Sequence, residues 1–183
     1  MRAPDLIPQP IAGVFLVPLP RFPDERGWFS EVYRQEWLPG GRPMVQSNLS
    51  RSRAGVLRGL HFHRRQADYW WVPSGTILVG LYDLRTGSPT EGTGTEVRMS
   101  SEDDEGRGLY IPKGVAHGFF AETDVLMHYL VDEYHTGDDE FGVAWDDPDA
   151  AIRWGTSDPI LSERDQKNPS LTEVMRSAPS FEE

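Results

Sequence analysis

Residues 55–75 read GVLRGLHFHRRQADYWWVPSG. Gly55 is followed after five residues by His61, then by His63, after four more by Asp68, and after a further six by Gly75. Residues i and i+2 of a strand share a face, so His61 and His63 can converge on one side. A second stretch, GRGLYIPKGVAHGF (106–119), sets Gly106 ahead of Pro112, Gly114 and His117. Three imidazoles and a carboxylate are suitable donors for Fe, Mn, Ni or Zn. The same histidines also read as polar wall or surface residues.

Around these stretches the chain alternates between short apolar runs and turn residues. GVFLVPL, GWFSEVY, MVQSNLS, ADYWWV, TILVGLYDL, TEVRM, GLYIP, AHGFFA and VLMHYLVDEY are the runs; PDERG, LPGGR, PSG, RTGSPT and SEDDEGRG are the turns. Spacing of roughly 8–12 residues predicts an all-β sandwich or barrel of antiparallel strands. QEWLPG and PSLTEVMRS suit short helices, the second with Ser170 as its cap. The loop-rich segment 136–169 carries Trp145, Ile152, Trp154 and Ile160, which predicts ordered loop packed over the barrel. No repeat or linker divides the 183 residues, so one domain over 1–183 is expected, with 1–10 a loose lead-in and 173–183 a flexible tail.

The 29 acidic residues outnumber 18 Lys and Arg, for a net charge of −11. Such a field argues against a nucleic-acid partner, although a local basic pocket could still take a phosphorylated small molecule. Without cysteine, thiol catalysis, a zinc ribbon and disulfide staples are excluded. The apolar runs are too short for a helical membrane span, and the opening lacks the apolar core of a secretory signal. A cytoplasmic protein is expected.

The two histidine stretches resemble the two motifs of the cupin superfamily, small jelly-roll barrels (double-stranded β-helices). That resemblance implies that both histidines and the acid of the first motif, with the histidine of the second, point into the barrel. A more specific resemblance covers about residues 11–172. FPDERGWFSE (22–31), QSNLSRSRAGVLRGLHF (46–62), YDLRTGSPTEG (82–92), YIPKGVAHGF (110–119), YLVDEY (129–134), WDDPDAAIRW (145–154) and LSERD (161–165) resemble, in order, the dTDP-4-dehydrorhamnose 3,5-epimerase family. These are cupin-like barrels, usually homodimers, that need no cofactor.

The resemblance implies inversion at C3, C5 or both of a dTDP-4-keto-6-deoxyhexose. The C4 ketone acidifies the neighbouring hydrogens, a base removes one, and a proton returns from the opposite face of the enolate. His61 matches the base, Asp165 the carboxylate that orients it, and Tyr129 the acid. Arg26, Gln46, Asn48 and Arg58 match residues that hold sugar and diphosphate, and His117 one that lines the pocket. Phe22, Phe29 and Glu31 match an N-terminal edge that reaches across the dimer to the partner's nucleotide site.

Three features depart from the family's text. The segment from His61 to Gly75 is shorter. Asp68 falls where members usually carry a pocket lysine, and an anion in place of a cation near an enolate costs several kcal/mol if uncompensated. His135 stands where many members have a tyrosine over the thymine. The alternatives are a metal-dependent cupin enzyme using His61, His63, Asp68 and His117, and a sugar-nucleotide binder without catalysis. A metal on His61 would remove the base, leaving Asp165 and Tyr129 without their usual purpose.

Overall fold

The β-branched and aromatic runs become strands because their alternate side chains can be buried on one face of a pleated sheet. The computed structural model describes residues 3–38, 42–177 and Phe181. In chain order the strands are β1 (Ile7–Pro8), β2 (Phe15–Leu19), β3 (Phe22–Asp24), β4 (Gly27–Phe29), β5 (Gln46–Ser52), β6 (Leu57–Phe62) and β7 (Asp68–Ser74). They continue as β8 (Thr76–Asp83), β9 (Gly94–Ser100), β10 (Gly106–Ile111), β11 (Val115–Ala121), β12 (Val125–Val131) and β13 (Phe141–Gly142). One sheet runs β1-β2-β10-β7-β12-β5, a second runs β13-β6-β11-β8-β9, and β3 pairs with β4 as a separate hairpin. This is the jelly roll expected from the sequence.

The inward rows of the two large sheets make the main core. Val125 and Met127 of β12, Trp70 and Val72 of β7, Ile77, Val79 and Leu81 of β8, and Val115 and Phe119 of β11 belong to it. Continuing along the same rows, Tyr129 follows Met127, Asp68 precedes Trp70, and His117 lies between Val115 and Phe119. One end of the barrel interior is therefore apolar and the other polar, by simple alternation. On the outer side of the second sheet, Trp154, Val143, Leu171 and Val174 pack with Leu57, Leu60 and Phe62.

Helix α1 (Leu171–Arg176) is capped as its sequence predicts. The Ser170 side chain accepts from the Glu173 N–H, and Glu173 accepts from the Ser170 N–H in return. A 3-10 turn at Gln35–Trp37 occupies part of QEWLPG, whose last two residues lie outside the described residues. Another turn, Asp165–Lys167, was not foreseen.

Some boundaries need correction. The lead-in expected to be loose contains β1, which pairs with β2 through Ile7–Leu16 and Pro8–Phe15; Met1 and Arg2 lie outside the described residues. In the expected tail, residues 173–176 complete α1 and Phe181 meets Phe62 edge-on; 178–180, 182 and 183 lie outside the described residues. Of GWFSEVY only Gly27–Phe29 is strand, and VLMHYLVDEY leaves the sheet after Val131. Ile160 is 59% exposed rather than packed down, although its backbone bonds Gly55 and Leu57.

Candidate active site

The polar end of the barrel opens as a cavity of about 350 Å³. Gln46, Asn48, Arg58, His61, His63, Asp68, His117, Tyr129 and His135, all singled out in the sequence, line it. His61 of β6 pairs directly with His117 of β11. Between His117 and Phe119 the register slips, so that two steps along β11 match three along β6, from His61 to Arg58. A bulge of this kind re-aims side chains, and it lets Arg58 and His61 face one cavity despite their odd spacing. Gly59 sits at this point with φ +122°, and a Cβ there would meet Gly118 Cα at 2.6 Å and the His117 carbonyl oxygen at 2.8 Å. Only glycine permits that approach.

His61 and Asp165 form a dyad. Asp165 Oδ1 lies 2.6 Å from His61 Nε2, and its backbone N–H donates to Ser162 Oγ at 3.1 Å. Burial pushes the Asp165 carboxyl up, but the hydrogen bond and charge of His61, with help from Ser162 and Arg164, hold it below its ordinary value. Asp165 is thus an anion accepting from Nε2–H, which leaves the lone pair on Nδ1. Nδ1 faces the Glu140 carboxylate, 3.8 Å away. Glu140 pairs in turn with Arg164. Burial raises the Glu140 carboxyl, and Arg164 with the neighbouring histidines more than offsets this.

Tyr129 rises from β12 between Asn48 of β5 and Trp70 of β7. Burial pushes its phenol up, the Asp68 and Glu140 charges add to this, and Arg58 opposes them; the net shift is upward. A proton therefore stays on the phenol at neutral pH. Gln46 Nε2 donates to Asn48 Oδ1 at 2.9 Å, while the His135 N–H donates to Gln46 Oε1 at 3.1 Å. Arg58 Nε donates to Ser52 Oγ at 3.0 Å.

Asp68 is 4% exposed and accepts from Gln66 Nε2 at 2.8 Å and Trp70 Nε1 at 3.0 Å. His63 donates Nδ1–H to the Asp139 carbonyl at 2.6 Å, and His117 donates Nδ1–H to the Val115 carbonyl at 2.9 Å. Ligand atoms of His63, Asp68 and His117 lie within 4.8 Å of one another; His61 does not belong to this group. The expected four-residue metal set thus separates into a group of three and a histidine bonded to Asp165. Burial first, then the neighbouring imidazoles, push His117 down to about 4 against the opposing pull of Asp68.

Of the expected residues, Asp165 is bonded to His61 without lining the cavity itself, and four others stand away from it. Phe22 and Phe29 face each other across the β3–β4 hairpin, 41% and 61% exposed. Arg26 is paired with Asp24 and Glu31 with Arg34. Conversely, Gln66, Trp70, Asp139 and Glu140 were not anticipated. Gln66 and Trp70 flank Asp68 at the strand's period of two, which could have marked them; Asp139 and Glu140 sit in loop text with no local signal.

The family model described as dTDP-4-dehydrorhamnose 3,5-epimerase matches residues 8–173. The dTDP-4-dehydrorhamnose 3,5-epimerase of Streptomyces griseus is 38% identical over 187 residues, covering 96% of this chain and 92% of that protein. A dTDP-4-dehydrorhamnose 3-epimerase of Streptomyces niveus is 37% identical over 177 residues, covering 92% and 84%. Among solved structures, the Legionella pneumophila dTDP-6-deoxy-D-glucose-3,5-epimerase in complex with dTDP-4-keto-L-rhamnose superposes with a TM-score of 0.89. It is 31% identical, with 98% of each chain covered.

Proposed function

The chain belongs to the dTDP-4-dehydrorhamnose 3,5-epimerase family, and from that premise we propose that it inverts one or both carbons flanking the ketone of a dTDP-4-keto-6-deoxyhexose. The observation that carries this is that His61, bonded to Asp165, and the Tyr129 phenol line one cavity. His61 Nδ1 takes the proton from the carbon beside the ketone, and the C–H electron pair moves into the ring as the C4 oxygen becomes an enolate. The anionic Asp165 supports the resulting imidazolium. Tyr129 delivers its phenolic proton to the opposite face of the same carbon, which completes the inversion. The proton gained by His61 and the one lost by Tyr129 then equalise through solvent.

Arg58, the one Arg or Lys among the described lining residues, suits the diphosphate, where a planar fork with five donors is well matched. Gln46 and Asn48 supply neutral hydrogen bonds to sugar hydroxyls. Phe22, Arg26, Phe29 and Glu31 act as the N-terminal edge of a homodimer, reaching the partner's nucleotide site. The exposed rings of the hairpin support that role. Deuterium exchange into the substrate in D₂O tests the chemistry.

A metal-dependent enzyme is the second reading, favoured by the convergence of His63, Asp68 and His117. In its four-ligand form it would recruit His61, which the bond to Asp165 instead prepares as a base.

A further inference from the structure

We propose that the Asp68 carboxylate is the counter-ion for an ammonium group on the sugar ring, so that the cavity favours an amino-substituted keto sugar over its hydroxyl counterpart. This deepens the reading of the cavity as a keto-sugar site and rests on it. Asp68 is 4% exposed and lines the cavity. Its hydrogen-bond donors among the described residues are neutral: Gln66 Nε2 on Oδ1 at 2.8 Å and Trp70 Nε1 on Oδ2 at 3.0 Å. Each carboxylate oxygen offers about two lone-pair sites, so each keeps one for a ligand.

No Lys or Arg nitrogen lies within 4.0 Å of this carboxylate among the described residues. The titratable groups that face it are two imidazoles, His63 Nε2 at 4.0 Å and His117 Nε2 at 3.9 Å, beyond hydrogen-bond range. The carboxylates around the base are differently placed, since Glu140 pairs with Arg164 and Asp165 with His61. Asp68 holds its charge against neutral donors, and a buried carboxylate without a bonded cation is unfavourable. A ligand ammonium offsets that cost, because its donors come with a charge. A hydroxyl at the same place gives one hydrogen bond and no charge.

The same group also suits the reaction. The described lining carries two carboxylates, Asp68 and Glu140, against the single guanidinium of Arg58, an unfavourable wall for a developing enolate. An ammonium held on Asp68 keeps its protons and sets a positive charge inside the cavity. It thereby offsets the repulsion between the carboxylate and the enolate that forms when His61 removes the proton.

The test is calorimetric binding of dTDP-6-deoxyglucose and of its 2-amino and 3-amino analogues to the full-length protein. All three sugars keep a hydroxyl at C4, so none can enolise and the measurement does not depend on catalysis. At about pH 6.5 an amine with an ordinary pKa near 8 is protonated. One of the amino sugars should bind wild type about 10-fold more tightly than the hydroxyl sugar, as expected for a hydrogen bond between charged groups. D68N should bring that ratio to about one, whereas E140Q should retain the preference, in proteins whose thermal melts show them folded. No preference for either amino sugar in wild type, a preference that survives D68N, or one lost in E140Q would overturn the assignment to Asp68. Absence of binding by all three sugars would overturn the keto-sugar reading and the proposal with it. Preference for an amino sugar whose 4-ketone then exchanges no deuterium would remove the epimerase reading alone.

Discussion

Asp165 Oδ1 and His61 Nε2 stand 2.6 Å apart although 104 residues separate them in the chain. A strand of the barrel supplies the imidazole, and a 3-10 turn in the loop-rich C-terminal segment supplies the carboxylate. The loops after β12 therefore do more than cover apolar surface. They bring in the carboxylate that fixes the tautomer of His61.

Replacing the imidazole should abolish proton removal. H61N is expected to lower turnover by at least about 10³-fold, within the range for loss of a general base, with the melting temperature near wild type. D165N leaves a base with the wrong tautomer and should lower kcat, with little change in KM. Steady-state kinetics of both variants check this. Near-wild-type kcat in either would remove its role.

The proposed mechanism gives Tyr129 and His61 different half-reactions, so their variants should differ in kind. Y129F keeps the base and should still wash deuterium into the carbon that His61 reaches, while net inversion falls about 10²-fold or more. NMR of the recovered sugar distinguishes exchange from inversion. Equal loss of both in Y129F would contradict the assignment.

The pH dependence has a definite sign for each partner. The Tyr129 phenol is raised, so it remains an acid past the ordinary tyrosine value of about 10, and inversion should show no loss near pH 8 from this group. Asp165 is held below its unfolded value of 3.8, so the unfolded chain takes up the proton first. The stability it adds is full above about pH 5 and is lost as pH falls through the depressed folded value. Melting curves between pH 6 and 3 should therefore fall less steeply for D165N, in units where other carboxylates contribute equally to both proteins.

The outline of the barrel was legible because short apolar runs recur between turn residues; ADYWWV, TILVGLYDL and AHGFFA are such runs, buried at nearly every position because both faces of their strands are covered. His61, Asp68 and His117 lie on β6, β7 and β11, and His63 directly follows β6. Glu140 could not be placed, since its position depends on Arg164 and on a loop path that no local pattern encodes. Nor did spacing reveal that Arg58 and His61 share a face, because a register slip opposite Gly118 decides it. The Asp68 carboxylate, an oddity in the sequence, acquires a setting once Gln66 and Trp70 are seen to hold it.

That slip also gives a stability prediction. G59A places a Cβ against backbone atoms of β11 at a positive φ, and overpacking with backbone strain should cost about 2–3 kcal/mol. Denaturant unfolding measures it. A loss below about 0.5 kcal/mol would mean that the two strands can separate freely at this point.

The most direct measurement incubates the folded protein with dTDP-4-keto-6-deoxyglucose in D₂O and follows C3 and C5 by NMR and mass spectrometry. Deuterium should enter at C3, C5 or both with wild type and at neither with H61N. No incorporation by folded wild type, or incorporation that persists in H61N, would contradict proton removal by His61.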